Sequence, residues 1–167
     1  MSRNDIRIKS SPYATVPTLQ WKVAAGTPVT IKAGEPALVG GTSSNAVVLP
    51  VDADVTIGTD QPIAGIAAKD STETAAVAGV CDVYMPLPGI EYEIAAKTAS
   101  LANTAALILA LQGAYYVLDL TSSVFTMDTA AGDGASNAFI ITGGDSVRSL
   151  VYFLIRSDAT WFGRARV

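Results

Sequence analysis

At 167 residues, with one cysteine, no histidine and 16% charged side chains, the chain suits a single domain, or a domain plus an arm, with a substantial core. Hydrophobic residues reach 50% and mean hydropathy is +0.37, while ordinary globular domains carry roughly 25% charged residues. The lone cysteine excludes an internal disulfide. Without histidine, the common zinc sites and the Ser-His-Asp and Cys-His nucleophile arrangements have no members.

The longest apolar candidate, 105–111, falls far short of the roughly 20 residues that span a bilayer. The opening MSRNDIRIKSS has cations with no apolar stretch behind them, which reads against a secretory signal. High hydropathy without a span predicts a chain that buries surface against other chains, as an obligate oligomer or a lattice component. Net charge is −4, and the cations gather at the two ends: Arg3, Arg7, Lys9 and Lys22, then Arg148, Arg156, Arg164 and Arg166. No basic stripe is interleaved with aromatics, so nucleic acid is not expected as a direct partner.

In chain order, residues 1–22 read as an extended arm and 23–167 as a β-rich domain. The run SSPYATVPTLQW has neither a helical nor a strand period, and the residues before Pro12 and Pro17 are biased to extended conformations. A docking arm and a disordered terminus both fit it. Val29 and Ile31 then alternate with Thr30 and Lys32, the Ala33-Gly34-Glu35-Pro36 turn follows, and Ala37 to Val39 runs back. Further strands are expected at 46–51, 63–68 and 74–85, the last with Val77, Gly79, Cys81, Val83 and Met85 on one face. After the Pro88-Gly89 turn, Ile90, Tyr92 and Ile94 should face inward and Glu91 and Glu93 face water.

The stretch NTAALILALQGAYYVLDL supports two readings. Asn103 or Thr104 with Gly113 would cap a helix, whereas Gln112-Gly113 would join a hairpin. The balance favours mostly strand, with a short helix near 103–111 left open. Downstream, SVFTMD and AFIIT read as strands, the second stopped at Gly143-Gly144-Asp145. LVYFLIR is apolar on both faces, as in a central strand, and WFGRARV closes as an edge strand. The expected fold class is all-β, a single sandwich- or barrel-like domain with an extended N-terminal arm.

Each residue that could carry chemistry also has a plainer reading. Gly40-Gly41-Thr42-Ser43-Ser44 has the glycines of a phosphate loop, but a strand pattern with Pro50 follows it and no Lys does, so it reads as a connecting loop. Cys81 lies in an apolar strand beside Asp82, which raises a thiol pKa, and reads as a core residue. Lys69 and Ser71 fall in a polar loop. Asp52 with Asp54, and Glu91 with Glu93, read as solvated charges. Asp128 and Asp133 bracket a Gly-rich loop without the spacing of a calcium loop. Trp21, Trp161, Tyr115 and Tyr116 could stack on sugars, but read first as core or interface anchors. No catalytic residue, metal ligand or cofactor is expected, and the protein should work by binding.

Three stretches resemble the head decoration (cement, or capsid-stabilising) proteins of tailed bacteriophages. They are GTPVTIKAGEPALVGG followed by AVVLPVD, then PIAGIAAKDSTETAAVAGVCDVYMPLPGIEYEIAAK, and finally FIITGGDSVRSLVYFLIR. The resemblance spans about residues 23–166 in short motifs. It implies a small β-rich domain on the outer surface of an expanded icosahedral shell, often a trimer, whose partners are the major capsid protein and itself. The location implied is the virion, after synthesis in the host cytoplasm. It also implies an N-terminal clamp: Arg3, Arg7 and Lys9 would meet acidic shell residues, and Ile6, Ile8 and Tyr13 would fill shallow pockets or extend a capsid sheet, with Trp21 at the clamp's end. This chain is longer than the smallest members of that family. Another phage structural subunit, such as a minor spike or tail protein, and a surface carbohydrate-binding β-sandwich are the alternative functions.

Overall fold

The computed structural model describes residues 6–24, 30–40, 47–48, 61–74, 76–121 and 124–161. Short apolar–polar alternations cut by Pro, Gly and Asp give the strands β1 (Arg7–Ser10), β2 (Thr18–Val23), β3 (Pro36–Val39), β4 (Val47–Val48), β5 (Ile63–Ala67) and β6 (Gly79–Tyr84). They continue with β7 (Glu91–Ala95), the helix α1 (Ala105–Leu111), β8 (Tyr115–Thr121), β9 (Val124–Asp128), β10 (Phe139–Asp145) and β11 (Leu150–Ile155). Two antiparallel sheets result, ordered β1-β7-β11-β10-β8-β9 and β2-β6-β5-β3-β4. The protein is all-β, with one short α-helix among the described residues, as the turn-punctuated pattern predicts.

The six-stranded sheet curls until its far side returns to β7. A bridge joins Ala96 to Met127, and the Lys97 N–H donates to the Met127 carbonyl at 2.8 Å. Inside it lies the larger core, centred on Tyr92, Phe139 and Phe153, whose rings stack or meet edge-on at 5.4–5.6 Å. Each such fully buried side chain contributes roughly 1.5–3 kcal/mol. A smaller core of Trp21, Val23, Ile31, Val39, Cys81 and Val83, among others, fills the five-stranded sheet.

The stretch expected to be an arm is woven into both sheets. β1 pairs with β7, and β2 pairs with β6 in unbroken register from Thr18↔Tyr84 to Val23↔Gly79, so a boundary after residue 22 cuts through a strand. Its apolar residues lack a sustained period for a physical reason: they serve two different sheets, with the turn region around Pro12 and Pro17 crossing between them. The expected inward and outward faces of β7 are present, Tyr92 and Ile94 being buried and Glu91 and Glu93 half-buried outside.

The short helix left open near 103–111 is present at 105–111, since Ala and Leu are strong helix formers. The Thr104 hydroxyl accepts from Leu107 N–H at 3.2 Å, and Gly113 takes the left-handed conformation (φ 80°) just past the end. The run 74–85 keeps only β6. Thr74 turns the chain ahead of it, its hydroxyl accepting from Val77 N–H at 3.0 Å, and leaves Val77 63% exposed rather than beside Cys81 and Val83.

β10 does not stop at Gly143 but runs through Asp145 over a bulge. Gly144 is the reason α1 can dock there: a Cβ would lie 2.4 Å from the Leu150 carbonyl oxygen and 2.6 Å from Ile108 Cδ1. Residues 30–32 form no strand, and the expected strand at 46–51 is described only as β4. The terminal edge strand lies outside the described residues apart from Trp161.

Candidate interaction surface

Charged side chains in the described region are mostly engaged with one another. Lys97 is the clearest case: its ammonium donates to Asp119 and Asp128, both at 2.9 Å, across the seam where β9 returns towards β7. Its pKa is raised by these bonds, that to Asp128 first. Asp119 is desolvated by burial, which alone would raise its pKa. The Thr121 hydroxyl and Lys97 outweigh that and hold the carboxyl below its usual range. Lys69 pairs with Asp82 at 2.6 Å, Arg148 with Asp145 at 2.7 Å, and Arg156 with Asp158 at 2.8 Å.

The residues singled out for chemistry go to separate duties. Ser71 Oγ accepts from Ile31 N–H at 2.9 Å while Lys69 turns to Asp82, so the two do not act as a pair. Asp128 Oδ1 accepts from the Ala130 and Ala131 N–H groups, and Asp133 accepts from Tyr115 N–H at 2.8 Å. These are loop ties of the kind Asp makes in turns. Glu91 accepts from the Thr142 and Ser10 hydroxyls. Cys81 is buried and its thiol is pushed up to about 12, by burial first and then by Asp82 and Glu73. Among the described residues, no group of three His, Cys, Asp or Glu is placed to hold a metal ion. Gly41–Ser44, Asp52 and Asp54 lie outside the described residues.

The aromatic candidates are dispersed. Trp21 and Trp161 meet edge-on at 5.4 Å, Arg156 covers the Tyr115 ring at 4.6 Å, and Tyr116 is buried. The expected clamp residues divide by burial. Ile6 is 3% exposed in the larger core, Trp21 is 8% exposed in the smaller one, and Ile8 is half-buried against the larger core. These three are packed within the protein's own fold and present little surface to a partner. Arg7, Lys9 and Tyr13 are exposed. Lys9 lies over the Tyr152 ring at 4.8 Å, and the Tyr13 hydroxyl donates to the Pro88 carbonyl. Arg3 lies outside the described residues.

Concavities among the described residues are shallow. A recess of about 390 Å³ lies beside Arg7, Glu93, Ala99, Val147 and Arg148. A more apolar groove of about 600 Å³ is lined by Leu87, Pro88, Ile140, Leu154 and Ile155. Besides Val77, the apolar side chains Val147 and Leu109 stand well out of the surface and carried no signal in the sequence beyond being apolar. Val147, 93% exposed, tops the β10–β11 turn, where Asp145 accepts from the Val147 and Arg148 N–H groups and Ser149 is held at φ 53°. Leu109, 68% exposed, tops α1. No helix among the described residues is long and apolar enough to cross a membrane.

No family model, curated protein or solved structure matches the chain.

Proposed function

We propose that this chain is a structural subunit of a tailed-bacteriophage virion that binds the outer surface of the expanded capsid. It stabilises the shell by bridging major capsid protein subunits, acting together with other copies of itself. The observation that carries the reading is that Leu109, Val147 and Val77 stand in solvent while Lys69, Lys97, Arg148 and Arg156 are each tied to a carboxylate of the chain itself. Apolar surface gains from being removed from water.

The resemblance to head decoration proteins supports the same reading. Its motifs fall on the turn before β3, on β5 to β7 and on the β10–β11 hairpin, so they are spread over the folded domain. The clamp takes a revised form. Lys9, Arg7 and Tyr13 contact the shell from folded strand and loop positions, while Ile6 and Trp21 hold the domain together. Stabilisation follows from mass action, because a ligand of the expanded lattice alone shifts the shell towards that state. Repetition around the lattice multiplies modest contacts.

The test mixes purified protein with undecorated expanded heads and with unexpanded heads. Saturable co-sedimentation with the expanded heads is expected, and its absence would refute the proposal.

A further inference from the structure

We propose that Glu73 makes the strip Thr72–Thr74 a flap, which lifts from β6 without the sheet unfolding and carries the carboxylate out of the smaller core into water. The chain continues from β5 along β6, with Ala68 N–H donating to the Asp82 carbonyl and Thr72 N–H to that of Val80. Burial alternates along it: Ser71 and Glu73 turn inward, each 8% exposed, while Thr72 and Thr74 turn outward. The two inward residues differ in what they meet. Ser71 is locked to Ile31, its N–H donating to the carbonyl at 2.8 Å and its Oγ accepting from the amide at 2.9 Å. Glu73 has both carboxylate oxygens buried, and neither meets a donor among the described residues.

A buried carboxyl group without hydrogen bonds has lost its water contacts with nothing in their place, and it regains them only by leaving. Lys69 does not relieve it, being held by Asp82 at 2.6 Å. Little else holds the strip down. Thr72 N–H donates to the Val80 carbonyl and Thr72 Oγ1 accepts from Val80 N–H, both at 3.1 Å. Glu73 then faces Gly79, where a Cβ would fall 2.1 Å from the Glu73 nitrogen. The glycine lets the strip lie close but offers Glu73 no side chain to pack against. Thr74 bonds only onward to Val77, through its N–H at 2.9 Å and its hydroxyl at 3.0 Å, and lifting leaves those bonds intact. The hinge therefore falls between the anchored Ser71 and Thr72.

Opening uncovers Cys81, which is fully buried in the same interior and close enough to Glu73 for the carboxylate's charge to act on its thiol. It also brings Glu73 to the surface, so a partner that supplies a cation there selects the open form. The flap belongs to the isolated protein. It is read in solution without any shell, and its failure would leave head binding untouched.

Cys81 is the chain's one cysteine, so its rate of reaction with a maleimide reads the opening in the purified protein. In wild type that rate should stay nearly constant through low urea, since a local opening exposes little surface. Glu73→Leu should slow it at least ~tenfold, and Glu73→Gln, which keeps the shape without the charge, should fall between. Amide exchange gives a readout without any substitution: Thr72 N–H should exchange at least ~tenfold faster than Ser71 N–H. Labelling of Cys81 that rises with urea in step with global unfolding would overturn the proposal. So would a Glu73→Leu protein labelled as fast as wild type, or equal exchange at Thr72 and Ser71.

Discussion

Replacing Gly144 by Ala tests how α1 is seated on the barrel. The added methyl would sit 2.4 Å from the Leu150 carbonyl oxygen and 2.6 Å from Ile108 Cδ1, both well inside van der Waals contact. The carbonyl belongs to β11, where Leu150 pairs with Asp145, and cannot retreat without disturbing that pairing. Ile108 Cδ1 is the end of a side chain and can move, at the expense of its packing in the larger core. Overpacking of this kind costs about 1–3 kcal/mol. For a chain of this length that corresponds to a fall in Tm of about 2–4 °C per kcal/mol.

Ile108→Ala alone should cost about 2–5 kcal/mol through the cavity it leaves. In the double variant the methyl added at position 144 enters part of that cavity, so the two effects should fall short of their sum by about 1 kcal/mol. Thermal and urea unfolding of the four proteins measure this coupling. A Gly144→Ala protein as stable as wild type, or strict additivity with Ile108→Ala, would refute the placement of α1.

Glu73 is 8% exposed, and neither carboxylate oxygen meets a hydrogen-bond donor among the described residues. Glu73→Leu should therefore stabilise the protein by about 1–3 kcal/mol in urea titrations, and a destabilised variant would reveal a missing partner. Lys97→Met should lower Tm at pH 7 by leaving Asp119 and Asp128 facing each other without their cation.

The pH dependence follows from the carboxyls held low in the folded state, among them Asp119, Asp82 and Asp145. Their contribution is complete above the ordinary Asp pKa of about 3.9 and is lost as pH falls through the lower folded values. Thermal melts should show a loss below about pH 4, and the gap between wild type and Lys97→Met should narrow there as Asp119 takes up its proton. A gap that widened in acid would contradict the sign. Lys9→Glu combined with Tyr13→Ala should weaken co-sedimentation with expanded heads while leaving the melting temperature of the free protein within a few degrees.

The parts of the fold legible in the sequence were those governed by local alternation. β7 is the best example, because Tyr92 and Ile94 alternate with Glu91 and Glu93 on a strand with one wet face. β11 was legible as a central strand from its apolar residues on both faces, and it lies between β7 and β10. What local pattern does not carry is the use of a segment by a distant partner. Ile8 and Trp21 look like arm residues until β7 and β6 are placed beside them. Gly143-Gly144 reads as a stop signal, yet Gly144 gives Ile108 room inside a continuing strand. Asp119 is a lone charge in YYVLDLT, and only the closing of β9 towards β7 brings Lys97 to it. Leu109 and Val147 are ordinary apolar residues by sequence, and their exposure depends on where α1 and the β10–β11 turn sit in the assembled domain.

Calorimetry of undecorated expanded heads, with and without saturating purified protein, tests the central claim most directly. The account predicts that the shell's melting temperature rises with occupancy and then levels off at a fixed copy number per capsomer. Heads that melt at the same temperature with and without the protein would contradict it.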